Sequence, residues 1–276
     1  MVRRLVGRRV LPDHPGGGAA VTRIAANLSL LFVELPLMDR FGAAAEAGFD
    51  AVEILFPYDD PVPDLRRAMT RAGLPLALIN CPPPNYTGGV RGFAAVPELR
   101  DRFRHDFRRV LRYAQELRPR HIHIMAGAAE GDAARDTFIE NLRWAVAEAP
   151  EQALTIEPLN RTDNPGYFLS DYDLAAEVIE AVGADTLGLQ YDSYHATLLT
   201  GDALAAGGRT PRRVSHVQIS SPPGRSEPGT GLDWPALYAA IREAGYDGYV
   251  SAEYHPETTT ADGLQWLDAA RAALTA

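Results

Sequence analysis

The sequence predicts a (β/α)₈ barrel, an α/β fold in a single domain, on three observations. Short apolar segments alternate with amphipathic helical ones along the whole of a 276-residue chain, eight strands with eight helices. No Gly-x-Gly-x-x-Gly follows the first strand, which removes the main sequence reason to choose the rival, a doubly wound open sheet. The length, with 46% hydrophobic residues, suffices for one large core, and a ring of parallel strands with helical crossovers leaves no free edge.

The elements follow in order. Residues 23–28 read as the first strand and 36–47 as a helix, with Leu37, Phe41, Ala44 and Ala45 on one face and Gly48 as its stop. Strand 51–55 leads through a proline-bounded loop to helix 62–72, ended by Gly73. Strand 75–80 opens into a Pro- and Gly-rich loop, 81–96, expected to lie over the site because loops of that length are usually functional. Helix 97–117, strand 120–125 and helix 132–148 come next, the last burying Phe138, Leu142 and Ala145. Strand 153–157, helix 171–182, strand 187–191 and helix 196–205 follow. Strand 213–219, helix 233–244, strand 249–253 and helix 261–274 complete the ring. Residues 1–22 carry Arg3, Arg4, Arg8 and Arg9, then Pro15 and three glycines, and read as a disordered extension; the barrel spans 23–276.

Composition narrows the function. A formal net charge of −9 argues against a polyanion partner, which needs a basic surface to displace counterions. Cys81 is the only cysteine, so no intramolecular disulfide forms. No apolar run is long enough to span a bilayer, and the first twenty residues are read as no secretory leader, since they lack its apolar core. The expectation is a soluble enzyme of the cytosol acting on a small molecule, with neither nucleic acid nor membrane as partner.

Barrel enzymes place their chemistry at the carboxyl ends of the strands, so the residue closing each strand is the informative one. Four consecutive late strands close on Glu157, Asp192, Gln218 and Glu253, spaced 35, 26 and 35 residues apart, one strand-plus-helix unit each. Three carboxylates converging on a point repel one another unless a cation sits between them. Oxygen donors from Glu, Asp and a Gln amide suit a hard divalent ion, Mg²⁺ or Mn²⁺, better than zinc. His195, three residues beyond Asp192, is read as a substrate contact. Arg225, in the loop 221–231, is placed to receive a substrate carboxylate or hydroxyl through paired N–H bonds. His121, His123 and His216 alternate with apolar residues inside strands and are read as layer-filling or site-lining, with His216 behind the ligands.

Several motifs then fall in one order. Ala26-Asn-Leu-Ser29, Phe56-Pro-Tyr58, Ile156-Glu-Pro-Leu-Asn160, Gln190-Tyr-Asp192 with Tyr194-His195, His216-Val-Gln-Ile219, Glu227-Pro-Gly-Thr-Gly231 and Glu253-Tyr254 together resemble the hydroxypyruvate isomerase family of xylose-isomerase-like barrels, from about residue 23 to the end. The resemblance implies an aldose–ketose type isomerisation of a small hydroxy-carbonyl acid, hydroxypyruvate to tartronate semialdehyde in the namesake enzymes. It also implies Glu157 and Glu253 as the acid/base pair around a metal-stabilised enediolate, and a homodimer or homotetramer. The alternatives are a 2-oxo-tetronate isomerase, a ketose 3-epimerase and, from another class, a non-catalytic sugar-binding barrel. Two positions depart from the family pattern. His255 stands where a lysine is common, and Ser220-Ser221 follow Gln218-Ile219 where an aspartate or small residue is common. His255 is read as an anion contact when protonated.

Overall fold

A computed structural model describes residues 22–82, 91–209 and 213–275. The expected N-terminal extension up to residue 21 and residues 83–90 of the long loop lie outside the described residues. Eight parallel strands close into a barrel in sequence order. They are β1 (Arg23–Asn27), β2 (Ala51–Ile54), β3 (Leu76–Asn80), β4 (His121–His123), β5 (Ala153–Ile156), β6 (Leu187–Asp192), β7 (Val214–Ile219) and β8 (Tyr249–Ala252). The last strand pairs back onto the first through Arg23–Tyr249, Ile24–Val250, Ala25–Ser251 and Ala26–Ala252, so no edge is exposed. Around them run α1 (Leu37–Glu46), α2 (Val62–Ala72), α3 (Arg100–Leu117), α4 (Gly131–Glu148) and α5 (Tyr172–Val182). These continue into α6 (Ser193–Thr200), α7 (Ala203–Arg209), α8 (Trp234–Glu243) and α9 (Leu267–Thr275).

The two-residue period of the strands sorts their side chains into two environments. Ile24, Val52, Ile122, Leu154, Leu189, Val217 and Val250 join helix residues such as Phe41, Leu65, Phe107, Phe138 and Val178 in one continuous buried core between strands and helices. Each such side chain contributes about 1.5–3 kcal/mol relative to exposure. The intervening residues are of a different kind. Ala25, Ala51, Ala77 and Tyr249 form a small separate cluster. Asn27, Glu53, His123, Gln190, His216 and Gln218 are polar, buried and hydrogen-bonded to one another or to Asn80, Thr155 and Glu157. The apolar mass thus sits outside the ring, and the inside is a polar column leading to the carboxyl ends.

Three expected helices differ in detail. The single helix read at 196–205 is two, because Gly201 at φ +76° caps α6 in the left-handed region and turns the chain before α7. Helix 97–117 opens on a 3₁₀ turn, Pro97–Leu99, and becomes α-helical only from Arg100. The last helix is likewise divided into a 3₁₀ turn, Ala261–Gly263, and α9. Gly188 has a steric duty: a Cβ there would lie 2.7 Å from Ser215 Cβ and 2.1 Å from its Oγ, so only glycine lets β6 approach β7 this closely.

Candidate active site

Glu157 follows directly on β5, Asp192 ends β6, Gln218 lies one residue before the end of β7, and Glu253 follows β8. All four are at the carboxyl-terminal rim, between 0% and 6% exposed. Gathering carboxylates out of water penalises their charged forms. Burial pushes Glu157 well above the usual carboxylate range, and the charges of Asp192 and Glu253 push it further, against a smaller opposing pull from Arg225. Glu253 is pushed up to about 8, by burial first, with Arg225 opposing and Asp192 reinforcing. Asp192 is raised by burial as well, although Arg225 and the main-chain N–H groups of Tyr194 and His195 favour its ionised form.

Arg225 reaches this group from the loop after β7, where it holds a left-handed backbone at φ 53°. Its Nη2 donates to Asp192 Oδ2 at 3.1 Å and to Glu253 Oε1 at 2.7 Å, and the guanidinium lies 5.3 Å from the centre of the Tyr194 ring. Its Nε is buried and finds no acceptor among the described residues, which leaves that N–H for an anion. His255 donates its main-chain N–H to the Arg225 carbonyl at 2.9 Å, while its side chain stands on the exposed rim. Partial burial, then the Arg225 charge, lowers the pKa of His255, so the positive charge a lysine would carry there is missing at neutral pH.

Behind the acids lies a hydrogen-bonded scaffold that the reading of strand ends did not reach. Gln190 Nε2 donates both to Glu157 Oε2 at 2.9 Å and to Gln218 Oε1 at 2.7 Å, and its own carbonyl accepts from Thr155 Oγ1 at 2.9 Å. Gln218 Nε2 donates at 3.1 Å to Glu53 Oε2, which also accepts from Asn27 Nδ2 at 3.1 Å, and His216 Nε2 bonds Glu53 Oε1. Glu53 is therefore the anchor that orients the Gln218 amide. Its signal in the sequence was a lone carboxylate inside the apolar strand Ala51-Val-Glu-Ile54, where a charge out of water needs partners. His123 has its Nδ1 3.2 Å from Asn80 Oδ1 and 3.7 Å from Glu157 Oε2, and burial lowers its pKa to about 3. His121 is also held neutral by burial, with its ring 5.4 Å from that of His216.

His195 is 2% exposed, and its Nδ1 faces the loop after β5. The Asn160 main-chain N–H donates to that nitrogen at 3.1 Å, with Asn160 Nδ2 at 2.8 Å. Its Nε2 points the other way, 3.9 Å from Asp192 Oδ2.

The donor set accommodates a divalent cation. Glu157 and Asp192 bring carboxylate oxygens within 4.8 Å of each other, and a ring nitrogen of His195 lies within the same distance of both. Glu157 Oε1 is buried and has no hydrogen-bond partner among the described residues, the condition of a carboxylate oxygen that expects a cation. A positive ion would also relieve the mutual repulsion recorded in the raised acids.

A closed parallel barrel carrying buried acids at its carboxyl rim defines a (β/α)₈ enzyme. Comparison with known proteins specifies the family. A family model described as xylose isomerase-like TIM barrel matches residues 41–270. The chain is 41% identical over 252 residues to the 2-oxo-tetronate isomerase of Cupriavidus necator, covering 89% of this chain and 97% of that protein. It is 35% identical over 253 residues to the hydroxypyruvate isomerase of Escherichia coli, covering 89% and 98%. It superimposes with a TM-score of 0.86 on a crystal structure from Brucella melitensis described as AP endonuclease, family 2, at 39% identity over 90% of this chain and 98% of that one. The chain belongs to the xylose isomerase-like TIM-barrel family and, within it, to the hydroxypyruvate isomerase family; it is an isomerase.

Proposed function

We propose that the enzyme interconverts hydroxypyruvate and 2-hydroxy-3-oxopropanoate, a reaction in which the carbonyl and the neighbouring hydroxyl of a small oxo acid exchange places. The observation that carries this reading is the convergence of the buried Glu157, Asp192 and Glu253 beside Arg225. The isomerase relatives support the same reaction type.

Two proton movements at carbon define the chemistry: C3 loses a hydrogen and C2 gains one. Glu157 and Glu253 approach the site from β5 and β8, and each is poised to hold or release a proton because burial has raised both. One takes the proton α to the carbonyl, and the other returns a proton to the adjacent carbon. Asp192 stays with the charged partners around it, anchoring rather than transferring. The unpartnered Nε of Arg225 receives the substrate carboxylate, taking the place of the positive charge that His255 lacks. Glu157, Asp192, Gln218 and Glu253 would hold Mg²⁺ or Mn²⁺, which when bound supplies a Lewis acid for the substrate oxygens. Gln218 fits this role because Glu53 and Gln190 fix both ends of its amide.

A second reading, 2-oxo-tetronate as substrate, is favoured by the higher identity of the Cupriavidus relative. It requires the same bond changes on a chain one hydroxymethylene group longer. The description of the Brucella structure suggests nucleic acid, but a net charge of −9 opposes a polyanion. The test is an NMR-monitored incubation with hydroxypyruvate, 2-oxo-tetronate and free ketoses, with Mg²⁺ or Mn²⁺ and after chelation. Conversion of hydroxypyruvate that ceases on chelation is expected. Turnover of ketoses alone would overturn the proposal. In parallel, Glu253→Gln should lower kcat by about a hundredfold or more, and a loss below about tenfold would remove Glu253 from proton transfer.

A further inference from the structure

The carbon protons account for only half of the isomerisation. In converting a 3-hydroxy-2-oxo acid, the C3–H and O3–H bonds break while C2–H and O2–H bonds form. Two glutamates serve the carbons, and a further group must hand a hydrogen to O2 and take one from O3. That group should be neutral, a donor at one face, and unable to drift into another protonation pattern.

His195 meets these conditions through its hydrogen bonds. A main-chain N–H can only donate, so the contact from Asn160 N at 3.1 Å makes Nδ1 of His195 an acceptor. Asn160 Nδ2, 2.8 Å from the same nitrogen, is itself oriented by donating to Asp163 Oδ2 at 2.9 Å, and Tyr194 Oη also donates to Asp163 Oδ2 at 2.8 Å. With Nδ1 bare, the imidazole hydrogen resides on Nε2. That atom donates to no acceptor among the described residues, and Asp192 Oδ2, at 3.9 Å, is beyond hydrogen-bond reach. The ring is 2% exposed and lies with its edge against Tyr194, so its direction is set by packing.

We propose that His195 is a catalytic residue that works as a neutral Nε2–H donor, giving its hydrogen to the substrate's carbonyl oxygen and recovering one from the neighbouring hydroxyl. Asn160 is its positioning residue. The exchange balances, because the hydrogen lost to O2 is replaced by the one leaving O3, and His195 ends each turnover as it began. The inference rests on the hydroxy-oxo acid reading above for its substrate. It separates His195 from the metal: a nitrogen that carries hydrogen has no lone pair to offer an ion, despite lying in the same acidic cluster.

The test is a long-range ¹H–¹⁵N correlation spectrum of the full chain, labelled at histidine and loaded with Mg²⁺. The expected result is the Nε2–H tautomer of His195 with a bare Nδ1, assigned by loss of its signals in His195→Gln, or in His195→Asn if that variant does not fold. An Nδ1–H tautomer, or an Nε2 that loses its hydrogen when Mg²⁺ is added, overturns the proposal whichever substrate is turned over. Failure of the substrate reading alone leaves this spectrum unchanged, so the two can fail separately. Kinetically, His195→Ala should lower kcat by about a hundredfold or more with Mg²⁺ affinity retained. A loss of Mg²⁺ affinity of about tenfold or more, with turnover restored at saturating Mg²⁺, would make His195 a metal ligand and overturn it.

Discussion

Glu53 carries no chemistry of its own, yet it decides which way a proposed ligand faces. With Oε2 accepting from Gln218 Nε2 and Asn27 Nδ2, the Gln218 carbonyl has one orientation available, toward Gln190 and the acids. Replacing Glu53 by Gln introduces an amide that can donate as well as accept, so the orientation becomes degenerate. We expect Mg²⁺ affinity, read by calorimetry, to fall about ten- to a hundredfold. The fold should survive, since the substitution keeps the side chain's volume. His195 illustrates the same point at the opposite wall of the site. Its place three residues beyond Asp192 led to the reading as a substrate contact, but its tautomer depends on Asn160, 35 residues earlier in the chain. No local pattern joins the two.

At the level of elements, register is what brings the acids to a common height. Asp192 lies opposite Gln218 across β6 and β7, and Gln190 opposite His216, so one strand pair supplies two levels of the polar column. Gly188 permits that pairing. Gly188→Ala should cost about 1–3 kcal/mol in urea unfolding, because the new methyl has no room beside Ser215. Removing the obstruction as well, in Gly188→Ala with Ser215→Gly, should recover part of it, a non-additive coupling of about 0.5–3 kcal/mol. The start of α5 offers an independent check on stability alone. Asp171 accepts from the Leu174 N–H at 2.8 Å, and Asp171→Ala should destabilise by about 1 kcal/mol without changing turnover. Element boundaries were partly legible from sequence. Val62–Ala72 stands where its apolar spacing and Gly73 put it, whereas the break at Gly201 was hidden, because the apolar spacing of α6 runs on toward α7 and only the backbone turn divides them.

For the whole molecule, the site is bought at a cost in stability that depends on pH. Glu253 rises from an ordinary 4.5 to about 8, and Glu157 rises too, so the folded, cation-free protein holds protons that the unfolded chain releases. Stability from these groups is fully present below about pH 4.5 and is lost as pH climbs through about 8. Thermal denaturation of chelated protein should therefore show a falling Tm from about pH 7 upward, above the range in which the buried, neutral His121 and His123 add stability as pH rises. Added Mg²⁺ should raise Tm more at the alkaline end, where it competes with fewer protons. A Tm that rises with pH above about 7 in the chelated protein would contradict this account.

The sequence by itself determined the barrel, through its eightfold strand and helix rhythm, and marked the acids that close successive strands. Both are visible because a parallel strand buried under helices must be apolar on one side, and whatever polar residue ends it stands out. What only the tertiary structure decided is how those residues are held: Arg225 against Asp192 and Glu253, Gln190 between Glu157 and Gln218, Glu53 beneath Gln218, Asn160 behind His195. These are hydrogen bonds between side chains and loops far apart in the chain. Their directions depend on how the ring closes, a three-dimensional constraint that no periodicity along the sequence records.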